Sequence, residues 1–193
     1  MSLLDVDHAR NAPVPLLLNA WLSDCGTYRY TLRRQLHADD GHHARSSPRW
    51  LAWVMLNPST ADATKNDPTI RKVLGFTERT GHSAIYVVNL FAFRATRPSQ
   101  LRAAAREHGA SYAEGPRNRD AIAAVADVCT DIVCAWGAEP FAQERGRAAL
   151  DFLRSLGKPL LCLGTTKDGA PLHPLMPSYD GHPLVPFAPK DHR

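Results

Sequence analysis

Four short apolar runs, separated by segments with helical spacing, constrain this chain more than any other feature of it. They are Trp50 to Leu56 (WLAWVML), Ala84 to Leu90 (AIYVVNL), Asp131 to Trp136 (DIVCAW) and Pro159 to Leu163 (PLLCL). Each is too short for a buried helix and too continuously apolar for a strand with one wet face. After the first run, Asp67-Pro68 offers an N-cap followed by proline at the first helical position. Ile70, Val73, Leu74 and Thr77 then repeat at helical spacing, and Gly81 closes the helix. Pro98 opens a second, short helix, Pro116 to Ala126 reads as a third, and Ala149, Phe152, Leu153 and Leu156 mark a last one that Gly157 ends.

Apolar strands alternating with helices predict an α/β fold, a three-layer αβα sandwich around a central four-stranded parallel sheet. Tyr28 to Leu32 alternates and predicts an N-terminal edge strand or hairpin. Residues 1–24 read as a variable N-terminal arm, 25–177 as a single α/β domain and 178–193 as an extended proline-rich tail. A polar loop is expected over residues 38–49.

Composition removes several classes. With 44% hydrophobic and 22% charged residues in 193, disorder, collagen and coiled coil are excluded. No apolar run approaches the roughly 20 residues of a membrane span, so no membrane partner is expected. The N-terminus MSLLDVDHAR lacks the basic-then-apolar pattern of a signal peptide. None of the four cysteines forms a C-x-x-C pair, so no zinc ribbon or redox dithiol is signalled. Cys134 and Cys162 lie in apolar runs and read as core. The expectation is a reduced, cytoplasmic protein with no metal and no cofactor.

In a parallel sheet of this kind, ligands bind beyond the carboxyl ends of the strands. All four ends carry an unusual residue. The first ends in Asn57-Pro58-Ser59, the proline stiffening the turn. The second embeds Asn89 in apolar sequence before Phe91 and Phe93; a buried amide needs partners and suits a nucleobase edge. The third ends in Trp136-Gly137. The fourth runs through Gly164 to His173, held between Pro171 and Pro174. Each has a plainer explanation: an Asn at a strand end as a turn residue, Trp-Gly as core, His as surface or satisfied core, Asp67 as an N-cap and nothing more.

Charge is uneven as well. Between Lys65 and Arg106 eight basic residues face two acidic ones, a balance of +6 within a total of +4, so the remainder carries −2. Lys65, Arg94 and Arg97 are candidate phosphate contacts, the alternative being a solvated face.

The stretch MLNPSTADATKNDPTIRKVLGFTERTGHSAIYVVNLFAFRATRPSQL, with CGTYRYTLRRQL, DIVCAWGA and LGTTKDGAPLHPL, closely resembles a bacterial family called domain of unknown function 1643. More distantly, the chain resembles the uracil-DNA glycosylase superfamily. Leu56-Asn57-Pro58 looks like its first motif in the Asn-Pro form. Tyr86-Val87-Val88-Asn89 with Arg94 and Pro98 looks like the strand whose Asn reads the base. Trp136-Gly137 and His173-Pro174 look like the remaining two. The resemblance implies a four-stranded parallel sheet flanked by helices. It departs from the pattern at Asn57, where the superfamily's strongest enzymes carry a carboxylate, since an amide positions water but cannot act as a general base. No cysteine set matches the iron–sulfur ligands of some members.

The expected function is recognition of a nucleobase in nucleic acid, DNA ahead of RNA, or in a free nucleotide, with hydrolysis of its N-glycosidic bond. Asn57 would position water, His173 would stabilise the leaving base, and Asp62 is the reserve base, its alternative being a loop turn. Pro58, Ser59, Asn89, Phe91, Phe93, Trp136 and Gly137 would bind the base. The alternatives are a binding module without turnover and a nucleotide-modifying enzyme on the same fold.

Overall fold

The computed structural model describes residues 13–17, 19–36, 49–59, 61 and 63–188. In chain order the elements are β1 (Ala20–Leu22), β2 (Arg29–Gln35), β3 (Trp50–Met55), α1 (Pro68–Glu78), β4 (Ala84–Asn89), α2 (Pro98–His108), α3 (Ala110–Glu114), α4 (Asn118–Val128), β5 (Asp131–Cys134), α5 (Pro140–Ser155), β6 (Leu160–Cys162) and β7 (Val185–Pro186). The polar loop expected over residues 38–49 falls almost wholly outside the described residues.

One mixed sheet of seven strands runs in the order β1-β2-β4-β3-β5-β6-β7. β3 pairs in parallel with β4 on one side and β5 on the other, and β5 with β6. The outer strands β1, β2 and β7 are antiparallel. The strand read at Tyr28 to Leu32 is the second strand of an N-terminal hairpin: β1, from the N-terminal arm, pairs with it antiparallel, Ala20 against Leu32, and takes the sheet edge. β7 arises in the proline-rich tail, where Cys162 of β6 pairs with Val185. Both additions are two or three residues long, too short to leave a periodic signal.

The alternation of side chains across the strands builds two cores. Leu51, Trp53, Ile85, Val87 and Val133 face α1, which contributes Ile70, Val73 and Phe76. Ala52, Val54, Val88, Ile132 and Cys134 face the other way, against Leu101 of α2, Ile122 and Val125 of α4, and Leu150 and Leu153 of α5. Trp53 has no exposed surface, and its indole N–H donates to Thr77 Oγ1 at 3.1 Å, so the largest side chain of the α1 face is also hydrogen-bonded.

The crossover from β3 through α1 goes to β4 on one side of β3; the next goes from β4 to β5 on the other. The reversal leaves a crevice between β3 and β5 at the carboxyl edge, the usual ligand position in sheets of this type. After β6 the chain becomes a strap across the α1 side. Tyr179 packs at 4.7 Å from the Phe76 ring, Lys72 Nζ lies over Tyr179 at 4.1 Å, and Lys72 also donates to the Pro177 carbonyl. The strap fits because residue 75 is glycine: a Cβ there would sit 2.7 Å from Tyr179 Cζ.

Among the described residues, no helix is long and apolar enough to cross a membrane, and no group of three His, Cys, Asp or Glu side chains could hold a metal ion. All four cysteines are free, Cys25 exposed and the other three buried.

Candidate functional site

The crevice is a cleft of about 480 Å³, within the usual size of a small-molecule site. Asn57 and Ser59 reach it from the end of β3, Trp136 and Gly137 from the end of β5, and His173 from the strap. The N-termini of three helices complete it through Asp67 and Thr69 of α1, Thr96 and Pro98 of α2, and Glu139 of α5.

Asn57 is held by its own amino group. Nδ2 donates to the Ala95 carbonyl at 2.7 Å and to the Pro58 carbonyl at 3.0 Å. The Pro58 carbonyl in turn accepts from the Ala95 N–H. The turn after β3 is thus stitched to the loop after β4, and Asn57 offers the cleft an acceptor rather than a donor. Pro58 itself is buried beneath this knot and does not line the cleft.

His173 has a defined polarity. Its Nδ1 accepts from the Leu175 N–H at 3.3 Å, so the neutral ring carries its proton on Nε2, as a donor. Burial holds the imidazole below the ordinary 6.5, opposed by the negative charge of Asp67. His173 lies beside Gly137, whose φ of +86° is a left-handed value that favours glycine, and where a Cβ would come 3.3 Å from His173 Cβ. The Trp136-Gly137 end therefore makes room for the histidine.

A second depressed histidine lies at the opposite end of the sheet. His82 is held below 6.5 by burial and by Arg49, against the opposing pull of Asp131, and is hydrogen-bonded to Thr80 and Thr130. For both histidines the unfolded chain takes up the proton first as pH falls through 6.5. The stability present above that value is then lost as pH falls through the two folded values. Thermal melting is expected at a lower temperature at about pH 5 than at about pH 7.5, with a shallower slope in the His173→Asn variant. Identical slopes in wild type and variant would contradict this.

Several residues singled out in the sequence lie elsewhere. Asn89 is buried in β4 beside Met55, which does line the cleft; its Nδ2 has no hydrogen-bond partner among the described residues, and its own carbonyl accepts from Asn118 Nδ2 at 2.9 Å. A donor so buried is a place for a water or a ligand atom. Phe91 is 1% exposed and stacked on Phe141 at 4.9 Å, so it belongs to the core and does not face a ligand. Phe93 bridges to Tyr28 and packs with Tyr112, away from the cleft. Arg94 donates to the Gly26 carbonyl. Arg97 is the exposed N-cap of α2, between Thr96 and Pro98, which line the cleft. Lys65 is exposed outside it. Asp62 lies outside the described residues. The +6 segment does not form one patch, because α1 and α2 lie on opposite faces of the sheet.

Two kinds of lining residue escaped the sequence reading. Arg29, 3% exposed, reaches the cleft from β2 and donates to the Ala61 carbonyl at 2.6 Å. Its alternating strand gave no hint of a buried guanidinium. Asp67 and Glu139 are N-caps of α1 and α5, accepting from Ile70 and Ala142, and both also line the cleft. Capping chemistry was legible at Asp67; its second role was not.

Helices on both faces of the sheet and a cleft where the strand order reverses place the chain in the doubly wound α/β class. Within that class, the chain belongs to the family described as protein of unknown function (DUF1643), whose model matches residues 29–175. No curated protein and no solved structure matches it.

Proposed function

We propose that the chain recognises a nucleobase, in nucleic acid or in a nucleotide, and hydrolyses its N-glycosidic bond. The observation that carries this reading is the meeting of Asn57, Trp136-Gly137 and His173 in one cleft at the carboxyl edge of the sheet. Breaking an N-glycosidic bond develops negative charge on the leaving base and positive charge on the sugar. His173 Nε2–H is a neutral donor for the first. Asn57 supplies an acceptor that orients water. Arg29 adds a cation to the cleft wall, suited to a phosphate. The strand ends that carry these residues support a uracil-DNA glycosylase-like arrangement with a parallel central sheet.

The locked amino group of Asn57 favours a second reading. With both its hydrogens on protein carbonyls, Asn57 is a fixed acceptor, which suits a binding module that holds a modified base without turnover.

The test is release of base from single- and double-stranded oligonucleotides carrying uracil, hypoxanthine, xanthine or hydroxymethyluracil, and from the matching nucleotides. Base release is expected, with His173→Ala lowering the rate by about 10²–10³-fold, the usual effect of removing one donor to a developing oxyanion. Binding without release supports the module. Neither binding nor release on any substrate sinks both readings.

A further inference from the structure

A hydrolysis needs a group to take the proton of the attacking water, and Asn57 cannot take it. Two carboxylates line the cleft among the described residues, Asp67 and Glu139. They are not equivalent. Glu139 has both oxygens occupied: Oε1 by the Arg102 guanidinium and Oε2 by the Ala142 N–H. Asp67 uses only Oδ1, which caps α1 by accepting from the Ile70 N–H at 2.9 Å. Oδ2 has no hydrogen bond to any described residue. Asp67 is half-buried, and it is the charge that His173 senses across the cleft.

We infer that Asp67 is the general base of this cleft, a role that rests on the hydrolytic reading above. Asp67 Oδ2 accepts a proton from a water that Asn57 Oδ1 also orients. The water oxygen forms a bond to the anomeric carbon of the sugar as the carbon–nitrogen bond breaks. The bonding pair leaves on the base, whose anion is held by His173 Nε2–H and then protonated by solvent, while Asp67 returns the proton it took to solvent. The products are the free base and a sugar hydroxyl. No oxidant, metal or co-substrate enters the balance. The carboxylate comes from the N-cap of α1 and not from the end of β3, so an amide at position 57 leaves the cleft with a base.

The cap itself supplies the control. Asn caps a helix as well as Asp, so Asp67→Asn keeps the Oδ1 bond to Ile70 and removes only the basic oxygen. Wild type and the Asp67→Asn and Asp67→Ala variants are compared for thermal melting, for binding of an oligonucleotide with a non-hydrolysable nucleotide analogue, and for base release. For Asp67→Asn the inference expects a melting temperature near wild type, retained analogue binding and a fall in release of about 10²–10⁴-fold. Asp67→Ala is expected to lose the cap as well and to melt lower. If wild type releases base and Asp67→Asn releases it at a similar rate, Asp67 is only a cap and the inference fails alone. If Asp67→Asn loses analogue binding as fully as release, its role is in binding and the inference fails. If wild type releases nothing from any substrate, the hydrolytic reading and the inference fall together.

Discussion

Asn118→Asp is expected to destabilise the protein by about 3–5 kcal/mol at neutral pH, the scale set by an uncompensated buried charge. Asn118 has no exposed surface. It opens α4, and its Nδ2 donates to the Asn89 carbonyl at 2.9 Å and the Leu90 carbonyl at 3.3 Å. Those two carbonyls lie where β4 ends and its edge can no longer be paired by a strand. The substitution is nearly isosteric, but a carboxylate has no hydrogen to donate, so it would confront two carbonyl oxygens with a negative charge. Folding would then raise the pKa of the new carboxyl above the ordinary value near 4. A raised folded pKa costs stability in full above it, and the loss disappears as pH falls toward the unfolded value. Asn118→Asp should therefore melt far below wild type at about pH 7 and approach it at about pH 4.5, whereas Asn118→Ala should show a pH-independent deficit of about 1–3 kcal/mol. An Asn118→Asp deficit that does not shrink on acidification would rule out the buried-charge explanation.

Gly146→Ala reverses an ordinary rule. In an exposed helix the change gains about 1 kcal/mol. Gly146 lies inside α5 against the indole of Trp136, and a Cβ there would sit 2.5 Å from Cε2 and 2.8 Å from Cζ2. Trp136 cannot swing away freely, being 3% exposed and packed edge-on to Phe187 at 5.8 Å. Overpacking of this kind costs about 1–3 kcal/mol, so a net loss is expected in place of the gain. Trp136 also lines the cleft, and the displaced ring should weaken ligand binding and change the near-ultraviolet circular dichroism. Gly157→Ala, where no atom lies within 4 Å, should leave both signals alone and suffer only from its positive φ. A Gly146→Ala protein more stable than wild type would mean that the Trp136 ring is free to move.

The strand–helix alternation was legible because each buried strand is bounded by its own turn chemistry, as at Asp67-Pro68 and Gly81. The start of α5 was not. The apolar spacing around Ala149 and Phe152 marks only its second half, and its start is fixed by the Glu139 side chain, which caps the Ala142 N–H. The strand ends announced Asn57, Trp136 and His173 because topology alone brings them together. Burial could not be read in the same way. Phe91 and Phe93 follow Asn89 as a ligand's stacking partners would, yet neighbours far away in sequence, Phe141 and Tyr112, claim them. Arg29 failed in the opposite sense, being charged, on an alternating strand and buried. One residue carrying two jobs, as at Asp67, shows only the simpler of them in sequence.

The strap also sets when the cleft is complete. Synthesis runs from the N-terminus at about 5–20 residues per second, and Lys72 meets its Pro177 partner across 105 positions. For roughly 5 to 20 s after α1 emerges, the growing chain holds Asp67 and Asn57 without His173. Gly75 waits over the same interval for the Tyr179 ring that fills its notch. The cleft is thus completed only when a segment 105 positions beyond Lys72 has followed α1 out. Until then a nascent chain carries the cleft floor without His173.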